Sequence, residues 1–87
     1  MKVLVKPIEM IAWFDFKGLI HPLRFRLIDE DGKYKTIAIK SIQARTKEKL
    51  AGNLMQVFLC QGVVNDQEIL FEIKYEKDTD QWILFKM

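Results

Sequence analysis

One cysteine, one histidine, two prolines and four glycines are all that the 87 residues hold of those types. Each scarcity excludes something. A lone Cys60 cannot close an intramolecular disulfide, and Cys60 with His21 cannot furnish the ligands of a structural zinc site. With so little Gly and Pro, and 49% apolar against 30% charged residues, the chain is not low-complexity, collagenous or disordered. No apolar run approaches the ~20 residues that cross a bilayer as a helix. Lys6 and Glu9 interrupt the first apolar stretch, so no signal peptide is expected and no membrane partner; the compartment reads as cytoplasmic. No G-x-G-x-x-G or P-loop pattern occurs. The acidic loops Asp29-Glu30-Asp31 and Asp78-Thr79-Asp80 lack calcium-loop spacing and read as turns. Catalysis needs convergent titratable groups, and nothing in the placement of His21 and Cys60 pairs them. The expectation is a non-enzymatic protein with no catalytic residues, metal or cofactor.

What is present suits one small core. Surface scaling implies that a chain of this mass buries about 64% of its unfolded surface, enough for a single domain over residues 1–87 and not for two. Charge is nearly balanced at +2, yet unevenly spread. Residues 1–49 hold 11 basic and 6 acidic side chains, and residues 50–87 hold 3 and 6. Such asymmetry marks either an acidic-partner surface or two halves that neutralise one another across the fold.

Period two dominates. Ile69, Phe71, Ile73 and Tyr75 alternate with Glu68, Glu72, Lys74 and Glu76, the pattern of a half-buried strand. Leu23, Phe25 and Leu27 alternate with Arg24 and Arg26. Segments 53–64 and 81–87 are rich in β-formers. Segment 2–16 is a long strand expected to turn at Pro7. The best helical candidate, Thr46 to Gly52, amounts to one turn. Turns at Lys17-Gly18, Asp29–Lys33, Asn65–Gln67 and Lys77–Asp80, with a longer connection ending at Leu50–Asn53, divide the chain into six strands.

The third strand changes phase: Ile37 and Ile39 have one parity, Ile42 and Ala44 the other. One extra residue near Lys40-Ser41, a β-bulge, restores a common face and bends the strand. Six antiparallel strands in meander order, with no substantial helix to cover a flat sheet, predict an all-β small barrel or rolled sheet.

Setting Ile28 opposite Tyr34 places Phe25 against Ile37 and Leu23 against Ile39 inside, with Arg26 opposite Thr36 and Arg24 opposite Ala38 outside. Lys40, Arg45 and Lys47 then continue a basic outer strip. Beside such a strip an exposed Trp13 would form a single-stranded nucleic-acid surface, with bases stacking on the ring and cations following phosphate. Trp13 could equally plug one barrel end. Trp13 and Ile11 share a parity opposite to Phe14 and Phe16, so one of those sets is expected to face out. The leading function is therefore a binding module for single-stranded nucleic acid through Arg24, Arg26, Lys40, Arg45, Lys47 and Trp13. The alternative is protein–protein interaction through a sheet edge or an apolar patch that includes Ile83 and Phe85. Barrel closure favours a monomer, whereas apolar residues on both faces of segments 53–64 and 81–87 favour a homodimer.

The stretches from His21 to Leu27, from Lys49 to Gln61 and from Gln81 to Phe85 resemble a family of short, uncharacterised bacterial proteins of Gram-positive anaerobes, Leu50-Ala51-Gly52-Asn53 being the most specific part. The resemblance implies a bacterial, single-domain, cytoplasmic protein. It carries over no activity and no site residue.

Overall fold

Period-two alternation becomes six strands: β1 (Val3–Phe14), β2 (Ile20–Ile28), β3 (Tyr34–Leu50), β4 (Asn53–Val64), β5 (Gln67–Glu76) and β6 (Gln81–Lys86). The computed structural model describes residues 1–87, the side chain of Leu50 excepted. All neighbouring strands pair antiparallel in sequence order, and β6 returns to β1, closing the barrel. No helix occurs among the described residues. The Asn65-Asp66 turn has positive φ at both residues, 51° and 63°, as a tight two-residue hairpin requires.

Two strands belong to both halves of the barrel. β1 pairs with β6 from Val3 to Ile8 and with β2 from Glu9 to Phe14. β3 pairs with β2 up to Ala38 and with β4 from Ile39 onward. The turn expected at Pro7 is thus a change of partner, preceded by an irregularity at Val5, whose φ is +51°. In β3 the change falls at the expected bulge, where the register slips between Ile39 and Ser41. Gly62 makes this corner possible. A Cβ there would lie 2.6 Å from the Ala38 carbonyl oxygen and 2.9 Å from the Phe71 ring.

The β2–β3 register is the expected one, with Phe25 opposite Ile37, Arg26 opposite Thr36 and Arg24 opposite Ala38. Three expectations fail. Leu23 is not inside: β2 bulges where Ile11 pairs with Arg24 and Ala12 with Pro22, so Pro22 is buried and Leu23 exposed. Thr46–Gly52 is not a helical turn, because β3 runs straight on to Leu50 in register with β4. A second, unforeseen bulge lies between Ile42 and Ala44. The core is built on Phe25, Phe58, Phe71, Ile20, Ile37, Ile73, Leu84 and Cys60, with Phe25 and Phe71 edge to face at 5.4 Å.

Candidate functional site

The β1–β2 hairpin is held by one aspartate. Asp15 Oδ1 accepts from the backbone N–H of Lys17 and of Leu19, each at 2.9 Å. Gly18 takes φ +85° to close the turn. Asp15 Oδ2 lies 3.1 Å from His21 Nε2, and the Trp13 ring stacks on the imidazole at 4.1 Å and 14°. From β3, Arg45 donates to the Ile20 carbonyl at 2.6 Å, and its other nitrogen lies 3.5 Å from His21 Nδ1. An arginine carries no acceptor, so Nδ1 accepts from it and the Nε2 proton points at Asp15. The His21 hydrogen bond, with the two backbone donors, holds the Asp15 carboxyl below its ordinary range.

A histidine oriented by an aspartate resembles part of a catalytic dyad, but here both ring nitrogens are occupied. None of the groups bonded to the imidazole is a nucleophile. Cys60 lies inside the barrel, where burial pushes its thiol up to about 12, so it is protonated and inert. The network therefore braces the hairpin, and it ties β2 to β3 where the two strands no longer pair.

The expected basic strip divides. Arg24, Arg26 and Lys40 lie outward on β2 and β3, but two of them are engaged. The Arg26 guanidinium bonds Glu9 and lies 4.1 Å from the Tyr34 ring centre, and Lys40 Nζ meets Glu68 at 2.7 Å. Lys40–Glu68 and Glu48–Lys74 each join the basic first part of the chain to the acidic second part. Arg45 and Lys47 are not on this row. The second bulge reverses their parity, setting Arg45 opposite Phe58 and Lys47 opposite Gln56, at the mouth of the barrel. Trp13 is no plug. It faces outward and is 49% exposed, near Ile11 and Arg24. Glu9, Ile11, Arg24, Arg26 and Thr36 line a shallow groove of about 580 Å³ on the same face.

The apolar surface is not where the sequence places it. Ile83 and Phe85 do face outward, but Lys74 Nζ sits 3.6 Å from the Phe85 ring centre and bonds Glu48 at 2.8 Å, leaving both residues half-buried. Exposed apolar residues occur on several strands, Val3, Val5, Ile28 and Tyr34 among them, and the barest, Phe16 at 95%, lies at the β1–β2 hairpin with Phe14 at 58% and with Leu19, Leu23 and Ile11. Parity alone allowed only one of the Trp13 and Phe14/Phe16 sets to face out. Both do: Phe16 lies in the turn beyond the strand ends, and Phe14, although opposite buried Ile20, is more than half exposed. The Asp15…Gly18 turn was the available signal, since a bulky residue inside a tight turn has no strand face to pack against.

Among the described residues no group of three His, Cys, Asp or Glu side chains could hold a metal, and no helix is long and apolar enough to cross a membrane. No family model, curated protein or solved structure matches the chain.

Proposed function

We propose that the protein is a non-enzymatic binding module that docks another protein through the β1–β2 hairpin. The observation that carries this reading is the exposed apolar end of that hairpin, led by Phe16, whose 95% exposure is the greatest of any large hydrophobic side chain among the described residues. Soluble domains seldom leave large aromatic side chains grouped at the surface without a partner for them. Aromatic residues presented on a rigid support are also the usual anchors of protein interfaces. The support here is the Asp15–His21–Arg45 network.

A second reading, single-stranded nucleic acid, draws on half-exposed Trp13 beside Arg24, which makes no ion pair among the described residues. It ranks lower because Arg26 and Lys40 are already paired and Arg45 is committed to Ile20. Phosphate binding needs free cations and weakens steeply with salt.

Two measurements test the proposal. Replacing Phe14 and Phe16 together with Ser should change stability by less than about 0.5 kcal/mol in thermal unfolding, since residues kept for docking contribute little to the free fold. A larger loss would show that the hairpin end packs internally and would overturn the docking reading. Fluorescence anisotropy with short oligonucleotides at low salt should show no binding. Binding that is lost in Trp13→Ala and Arg24→Gln would transfer the surface to nucleic acid.

A further inference from the structure

We infer that His21 is a proton-operated latch: uptake of a proton at Nδ1 releases Arg45 and loosens the β1–β2 hairpin from β3. The latch belongs to the free chain. Its consequence for a partner, weaker support of the hairpin in mild acid, rests on the docking reading.

His21 is the chain's one histidine, and histidine is the side chain whose charge ordinarily changes between pH 5 and 8. Its side chain is 26% exposed, so solvent protons reach it. The two ring nitrogens face opposite charges. Nε2 lies 3.1 Å from Asp15 Oδ2 in the turn, and Nδ1 lies 3.5 Å from Arg45 Nη2 on β3. From β1 comes only the uncharged Trp13 ring, stacked at 4.1 Å, which keeps the imidazole in its plane between them. The other cations nearby in the chain make no bond to the ring: Lys17 Nζ lies 5.8 Å from the Phe16 ring centre, and Arg24 sits three residues on along β2.

A guanidinium only donates, so the Arg45 contact needs the lone pair on Nδ1. A proton taken from solvent consumes that lone pair. Nδ1 becomes a donor facing a donor, and an imidazolium then stands beside a guanidinium. On the other side nothing breaks: Nε2–H still donates to Asp15, now as an ion pair. One proton therefore tightens the turn and expels Arg45.

Nothing on β3 replaces that arginine. The β2–β3 ladder stops at Arg24 and Ala38, and among the described residues Arg45 makes the only side-chain hydrogen bonds between Ile20–Leu23 and β3. Its bond to the Ile20 carbonyl, 2.6 Å from Nη1, is carried by the same guanidinium and is disturbed with it. Arg45 is exposed, so it can turn to water, while Ile20 stays packed in the core and the barrel stays folded.

NMR on the isolated full chain from pH 8 to pH 5 tests the latch, because one histidine gives one ring titration. At the upper end Nδ1 should be bare and Nε2 protonated. Through the His21 step, Arg45 Nε and the Ile20 carbonyl carbon should shift with the same midpoint. In His21→Gln both signals should be flat across that range. Arg45→Gln removes the opposing cation and should raise the ring's midpoint by roughly a few tenths of a pH unit, as for a partly exposed charge contact. A ring protonated at Nδ1 at pH 8 overturns the inference, as do Arg45 and Ile20 signals that ignore the His21 step or still titrate in His21→Gln. A midpoint that Arg45→Gln leaves in place or lowers overturns it too. None of these signals involves Phe14 or Phe16, so the docking reading stands or falls separately, with their paired Ser substitution.

Discussion

On β5 and β6 the outward row is Lys74, Ile83 and Phe85; on β1 and β2 it is Ile11, Trp13, His21 and Leu23. Both rows are apolar enough to look like binding patches. In the first, the Lys74 ammonium lies over the Phe85 ring and is paired with Glu48, and the Lys74 side chain is only 12% exposed. Val57, the cross-strand neighbour of Lys74, is buried although it lies outside the main core cluster. In the second row the long side chain from the neighbouring strand, Arg45, reaches His21 and the Ile20 carbonyl and not the Trp13 ring. Trp13 stacks on His21 and leaves its other face open. An outward apolar side chain is covered or bare according to where the long side chains of the next strand reach.

The contrast can be broken most forcefully at the corner that creates the covered row. Gly62→Ala would drive a Cβ into the Ala38 carbonyl and the Phe71 ring, so β3 could no longer fold across β4. The expected cost is about 2–3 kcal/mol, seen as a drop of roughly 10–20 °C in the melting midpoint. An unchanged midpoint would mean that the corner is held in some other way.

A smaller effect sharpens the comparison between a covered ion pair and an open one. Glu48→Gln leaves the mostly buried Lys74 ammonium without its charge partner and should cost about 1 kcal/mol. Glu68→Gln removes the partner of Lys40 where both side chains are more than half exposed, and should cost under about 0.5 kcal/mol. Chemical denaturation of the two variants decides, and equal losses would erase the distinction drawn here.

The gentlest probe is pH. Asp15, Glu68 and Glu76 are held below their ordinary range, chiefly by His21, by Lys40 and by Thr79 with Asn53 respectively. Each depressed carboxyl contributes stability that is present above its unfolded value and is lost as pH falls through the folded one. The melting midpoint should therefore fall as pH drops below about 4. Asp15→Asn should flatten part of that fall and speed amide exchange at Lys17 and Leu19, whose N–H groups the carboxylate holds. At the other extreme, the hydrogen bond to Asp80 and burial push the Tyr75 phenol up to about 12 from 10.0. Its contribution is complete below pH 10 and fades as pH rises towards 12, so an alkaline decline is expected in that window. A flat profile through either window would show that the corresponding contacts are not populated in solution.

Much of this was legible in order of residues alone. Strict alternation in β5 needed only the period of a strand, and the Asp29–Lys33 turn fixed the Arg24–Ala38, Phe25–Ile37 and Arg26–Thr36 pairs, because turn length sets hairpin register. The bulge at Lys40 was legible because apolar parity broke there. The bulge at Gln43 was not, since Ala44 is small enough to sit on either face and gave no contrary signal. That one slip moved Arg45 and Lys47 from the outer row to the barrel mouth and divided the basic strip. The bulge at Leu23 was hidden in the same way, by an apolar residue that fits the alternation yet is left unpaired where β1 pairs Ile11 with Arg24 and Ala12 with Pro22.

The sequence by itself determined the all-β class, the six strands, their meander order and the inward identity of Phe25, Ile37, Phe71 and Ile73, because strand periodicity and turn chemistry act between residues close in the chain. Only the tertiary structure decided that β6 closes on β1, that Lys74 covers Phe85, and that Phe14 and Phe16 are left bare at the β1–β2 hairpin. Those outcomes depend on which strands meet after every bulge has been counted. Each bulge inverts all the side chains that follow it, so exposure is set by the sum of the slips and not by any one stretch of sequence.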